Sequence, residues 1–236
     1  MPSQTARELV DALVTEQLVT IYVGDRPEGC SIQRTLLTNA SPWFAKALDE
    51  RFAEGQSLTL RFPDTDPQVV EYFVYYLFHG RAPFQDYAID VSNREEAQLL
   101  QLLSLRLWVF ADEHLLPALQ NQAIRSLHYL TFDLCSPRPS TMLEALESSS
   151  PGSALRRFMM AELILELRRR HSLDKKKRSV SSESVGFTPA DIDAFPNIPG
   201  FTKELTEGFL EVLSGASLHG DDASVEPYLV PETVTD

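Results

Sequence analysis

Gly24 to Ser31 (GDRPEGCS) comes nearest to the spacing of a nucleotide-binding loop. It follows a β-branched run and its glycines are correctly separated. Cys30, however, stands where the phosphate-contacting lysine belongs, and no helix opens there to offer its N-terminal amides. Its Gly, Asp and Pro content reads instead as a hairpin turn. Five histidines, His79, His114, His128, His171 and His219, form no pair with each other or with a cysteine at metal-ligand spacing. His79 and His114 fall at helix ends, where a hydrogen-bonded structural histidine is the plainer reading. No GxSxG elbow occurs, and Cys30 and Cys135 lack any recognisable partner motif. No catalytic, cofactor-binding or metal-binding residue is assigned, and the expectation is a chain that is not an enzyme. Sites can also form from residues distant in sequence, so an enzyme with an unconventional site stays as the remote alternative.

The elements that would carry any site follow from composition and pattern. In 236 residues, 43% are apolar and 23% charged, enough for a buried core. Glu71 and Arg106 interrupt the two richest apolar stretches, so no spanning helix is expected. The N-terminal residues carry Glu8 and Asp11 without an apolar block, against a secretory signal. Two cysteines are too few for a disulfide scaffold and fit reduced thiols in the cytoplasm or nucleus. The net charge of −13 is unevenly spread. Residues 179–236 hold eleven acids and one lysine, whereas Arg156 to Arg178 holds nine bases and three acids. The body is nearly neutral, so no direct nucleic-acid binding is expected. Lys175, Lys176, Lys177 and Arg178 have the composition of a nuclear import signal; a solvated helix end opposing its own dipole is the competing reading.

Leu9, Val10, Leu13 and Val14 predict a short N-terminal helix. Leu18 to Val23 predicts a strand, and Cys30 to Arg34 its return. Ser41-Pro42 opens a helix read through Phe52, and Ser57 to Phe62 gives a third strand. Asp66-Pro67 starts a helix that Gly80 closes. Most of its aromatics (Tyr72, Phe73, Tyr75, Tyr76, Phe78) are expected in the core. Ser92 and Glu95 suggest a capping box before a long helix from Asn93 to Leu115, with Leu103, Leu107 and Phe110 buried. Helices over 118–130, 141–146 and 154–170 follow. Residues 172–200 read as a linker, 202–213 as a last short helix, and the acidic remainder as largely disordered. The apolar island from Phe195 to Phe209 could dock locally or serve as a short recognition segment. The order gives an α+β chain: a small β-sheet flanked by a cluster of α-helices, a C-terminal helical extension and an acidic tail.

In order, these features resemble the BTB/POZ family. After a strand ending in Val-Gly and a hairpin, Cys30, Ile32, Gln33, Arg34 and Leu37 stand at the places of the F-x-V-H-K-x-x-L signature. Ser41, Trp43 and Phe44 match the S-x-aromatic-Phe that follows. LTLRFPDTDPQVVEYFVYYLFHG is similar to the family's third strand and D-x-x-x-F helix. Ala111, Asp112, Leu116 and Leu119 fit its next helix pair. The resemblance covers residues 18–130, and SSPGSALRRFMMAELI resembles the segment after the domain in fungal BTB proteins. It implies an N-terminal helical extension (1–17), a BTB/POZ domain (18–130), a helical extension (131–171), then linker and tail (172–236).

The resemblance implies an intracellular protein-binding module, cytoplasmic and/or nuclear, with protein partners, no cofactor and no membrane partner. One implied role is a cullin-type ubiquitin-ligase adaptor. Such adaptors carry hydrophobic-x-Glu after the second helix, and Phe52-Ala53-Glu54 matches, with a core Phe beside a solvated Glu as the alternative. Another role is a self-associating homodimeric scaffold or transcription-linked regulator. Members of the latter kind use a pocket of an Asp near the first strand and the signature Lys/Arg. Gln17 and Leu18 offer no Asp, which leaves Arg34 alone.

Overall fold

Two units make up the chain: Met1–Pro83 with Phe110–Leu116, and Phe84–Val109 with Pro117–Asp236. The computed structural model describes residues 16–85, 93–176, 187, 189–193, 195, 197–215, 218 and 224–232. The architecture is α+β, with one three-stranded sheet among the described residues. The expected helix over residues 5–16 lies almost wholly outside them.

In the first unit, β1 (Leu18–Val23) is the central strand. It pairs antiparallel with β2 (Cys30–Gln33), Ile21 opposite Cys30, so Gly24 to Gly29 is the hairpin connection and not a phosphate cradle. It pairs parallel with β3 (Thr59–Phe62), Val23 opposite Phe62. The two-residue period of a strand turns Val19, Ile21 and Val23 inward, and all three are buried. A parallel neighbour needs a crossover. It consists of α1 (Arg34–Ala40), α2 (Pro42–Ala47) and α3 (Ala53–Ser57).

Three sequence expectations are corrected here. Arg34 opens a helix instead of ending a strand. The helix begun by Ser41-Pro42 stops at Ala47, not Phe52. Ser57 belongs to α3, and Leu58 turns through the left-handed region (φ 49°) before the strand starts at Thr59.

Then α4 (Pro67–His79) begins where Asp66 accepts the Gln68 amide and ends at Gly80, whose positive φ of 67° closes the helix. Its Tyr72 and Phe73 are buried, while Phe78 is 56% exposed. The core gathers Leu37, Phe44, Leu48, Leu60 and Phe73. His114 completes it, its ring 4.1 Å from Phe110 and 4.5 Å from Trp43.

The second unit is helical. The long α5 (Arg94–Glu113) crosses the boundary between the units, with Leu103, Leu107 and Phe110 buried as expected. Leu99 is 62% exposed, while Ala97 and Gln98 before it are buried. Ser92 lies outside the described residues. At the helix start it is Asn93 whose Oδ1 accepts the Glu96 amide at 3.2 Å. After α6 (Pro117–Tyr129), a π-turn covers Leu130–Leu134. The buried Gln101 donates to the carbonyls of Leu130 and Cys135 there. α7 (Pro139–Ser148) and α8 (Ala154–Lys176) follow.

The stretches read as linker and tail are described only in part, since residues 177–186, 216–217, 219–223 and 233–236 lie outside the described residues. α8 continues to Lys176, and Phe187, Phe195 and Ile198 are buried. The apolar island therefore docks locally. α9 (Pro189–Ile192) and α10 (Phe201–Leu213) lie in this stretch, and Tyr228 near the C-terminus is 4% exposed. The average composition is acidic, but these scattered aromatics bury enough surface to hold the segment. Among the described residues, no helix is long and apolar enough to cross a membrane.

Candidate functional site

A short surface helix carries the most sharply built exposed feature of the first unit. Phe52 is the N-cap of α3 in extended conformation (φ −107°, ψ 156°), with Glu54 in the first turn. Phe52 is 41% exposed and Glu54 is exposed, so the Phe is not a core residue. Three local devices fix this pair. Asp49 accepts from Arg51 Nε and Nη2, both at 2.8 Å, and from the Arg51 amide at 2.9 Å. The Arg51 side-chain bonds, then its amide, hold the Asp49 carboxyl at about 2, well below the usual carboxylate range. Gln56 Nε2 donates to the Glu50 carbonyl at 3.0 Å. Gly55 lies directly on the preceding backbone: a Cβ there would stand 2.2 Å from the Asp49 oxygen. Only glycine allows that approach. An apolar ring and a carboxylate two residues apart thus face solvent from a short helix seated on the Asp49 backbone, a makeup suited to a binding anchor.

The other sequence candidates fall elsewhere. Arg34 donates to the Leu48 carbonyl at 2.9 Å and to Gln17 Oε1 at 3.3 Å, ties that fasten α1 to its surroundings. Lys175 and Lys176 end α8, while Lys177 and Arg178 lie outside the described residues. His79 and His114 each bond the carbonyl four residues earlier, Tyr75 and Phe110, as end-of-helix structural histidines do. Burial lowers the His114 pKa and so favours the neutral ring. Desolvation raises both thiols, Cys30 and Cys135, away from the reactive thiolate. Among the described residues, no three His, Cys, Asp or Glu side chains gather to hold a metal ion.

Sequence reading missed two polar hubs in the second unit. Arg156 is 1% exposed and donates from Nε to Glu204 at 2.7 Å and from Nη1 to the Leu146 and Ser149 carbonyls. Its Nη2 donates to the Pro199 carbonyl. Asn121, 3% exposed, bonds the main chain of Val230. Both lie on helices whose apolar pattern hides them, and their farther partners, from Pro199 to Glu232, stand 43 to 111 residues away. The available signal was an Arg at a position where the helical period calls for an apolar residue. Compared with known proteins, the chain matches no protein-family model, and no curated protein matches its sequence.

Proposed function

We propose that this chain is a protein-interaction module of the BTB/POZ type, working in the cytoplasm or nucleus as an adaptor. In this reading it engages a cullin-type ubiquitin-ligase subunit through Phe52 and Glu54. The observation that carries the proposal is the joint exposure of these two side chains on a base fixed by Gly55 and the Asp49–Arg51 clamp. A hydrophobic anchor next to a carboxylate suits a groove with an apolar floor and a basic rim. The strand–hairpin–strand opening and the helical remainder agree with the resemblance described above.

A self-associating scaffold is the second reading. The exposure of Leu18 (55%), Leu115 (53%) and Phe78 (56%) in the first unit favours it. Affinity purification of the full chain, the Glu54→Lys variant and the Phe52→Ala variant separates the two. Recovery of a cullin with the unsubstituted chain and its loss in both variants supports the adaptor. Self-association without any cullin leaves the scaffold.

A further inference from the structure

The last described residues, Ser224–Glu232 (SVEPYLVPE), are held in the way a protein holds a bound peptide. Asn121 Nδ2 donates to the Val230 carbonyl at 2.9 Å, and Asn121 Oδ1 accepts the Val230 amide at 2.8 Å. One buried amide thus reads both main-chain groups of one residue. Nδ2 also donates to Glu232 Oε1 at 2.8 Å. Arg157 Nη2 donates to the Pro227 carbonyl at 3.2 Å. Tyr228 is the anchor: 4% exposed, it sets its ring edge-on to Phe158 at 5.3 Å and donates its hydroxyl to the Leu218 carbonyl. The segment turns once, through the bond from the Tyr228 amide to the Val225 carbonyl, and Leu229 then continues extended (φ −77°, ψ 145°).

No sheet ladder holds these residues. Side chains of α6 and α8 bond their backbone, one aromatic fills a pocket, and a glutamate flanks each side. Main-chain bonds for affinity plus an anchored side chain for selectivity is the general scheme of extended-peptide recognition. The seat also exceeds its occupant. An open cleft of about 520 Å³ adjoins Pro227 and Tyr228, with Met160 and Ile164 on its apolar side and Lys203 and Glu207 on its polar side.

We infer that residues 224–232 are a displaceable internal ligand, and that their seat on α6 and α8 accepts a partner polypeptide presenting an acidic-Pro-Tyr-aliphatic-aliphatic segment. The tethered copy competes at an effective concentration on the order of millimolar, so the seat is closed to weak ligands and opens to stronger ones. This inference is independent of the role given to Phe52 and Glu54, which belong to the other unit.

The test uses the full chain and a fluorescein-labelled SVEPYLVPE peptide followed by anisotropy. Tyr228→Ala removes the anchor of the tethered copy, and this variant is expected to bind the peptide saturably, at least tenfold more tightly than the unsubstituted chain. Adding Asn121→Ala should weaken that binding tenfold or more, and a peptide with alanine for tyrosine should not bind. Val230→Pro provides a second route, because it deletes the amide that Asn121 accepts while leaving Tyr228 in its pocket; it should give intermediate affinity. If either variant melts cooperatively yet binds no peptide, the inference is overturned. Equal binding by the variants and the unsubstituted chain overturns it too.

Discussion

Replacing Arg156 with methionine should be the most damaging conservative-volume change in the second unit. The guanidinium is 1% exposed and satisfies three carbonyls, of Leu146, Ser149 and Pro199, together with the Glu204 carboxylate. Two of those carbonyls lie at the end of α7, where the Ser148 and Ser149 hydroxyls answer the Glu144 and Ala145 carbonyls but not these two. Methionine fills much of the space and answers none of these groups. Breaking a buried ion pair from one side costs about 3–5 kcal/mol. Glu204 tempers the loss: its side chain is 19% exposed and also accepts the Gly152 amide at 3.1 Å. The orphaned carbonyls act the other way, at about 1–3 kcal/mol for each that stays dry. A net loss of about 3–5 kcal/mol follows, which at this chain length is a fall in Tm of roughly 6–20 °C. The assay is denaturant unfolding paired with hydrogen exchange, where amides of 197–204 should lose protection before those of α6. Glu204→Gln, which keeps a hydrogen-bond acceptor, should cost clearly less. An Arg156→Met chain within about 1 kcal/mol of the parent would refute the reasoning, because the two buried carbonyls of Leu146 and Ser149 could not both be left open so cheaply.

Gly55→Ala should destabilise the chain by about 1–3 kcal/mol, since the new methyl meets backbone atoms that cannot rotate away. It should also weaken any partner held by Phe52 and Glu54; thermal melting checks the first effect, and an unchanged Tm would contradict the close approach. His114 makes stability depend on pH. Its folded pKa is depressed by burial, so below the unfolded value of about 6.5 the unfolded chain takes up the proton first and stability falls with acidification. The contribution is level above that value and approaches about 1.4 kcal/mol per pH unit below it, until the folded pKa is reached. Urea unfolding between pH 7.5 and 5 should show a shallower slope for His114→Gln, and identical slopes would contradict the assignment.

How far the sequence carries can be judged element by element. The caps at Asp66-Pro67, Ser41-Pro42 and Gly80 are local chemistry, and all three function where expected. The alternation of Val19, Ile21 and Val23 located the central strand for the same reason. What failed was set by contacts that the local hydrophobic pattern does not show. α2 stops at Ala47, and the chain after it is set by the Asp49–Arg51 pair and by the close seat of Gly55 on the Asp49 backbone, short-range contacts that the residue types alone do not announce. The stretch after Lys176 looked like linker because its average is polar. Its described residues are held by a few widely spaced aromatics and by Arg156, which precedes Pro199 and Glu204 by more than forty residues. As for the candidate site, Phe52 and Glu54 were legible only through a family resemblance. Their exposure and the close seat of Gly55 beneath them became visible with the structure.

The adaptor reading is tested most directly by isothermal titration of the purified full chain with the N-terminal region of a cullin. The unsubstituted chain is predicted to bind at micromolar Kd or tighter. Glu54→Lys should weaken binding at least tenfold while unfolding within about 0.5 kcal/mol of the parent, as expected of an exposed surface change. A folded, unsubstituted chain that gives no binding heat at any temperature tried, or a Glu54→Lys variant that binds equally well, would contradict the claim.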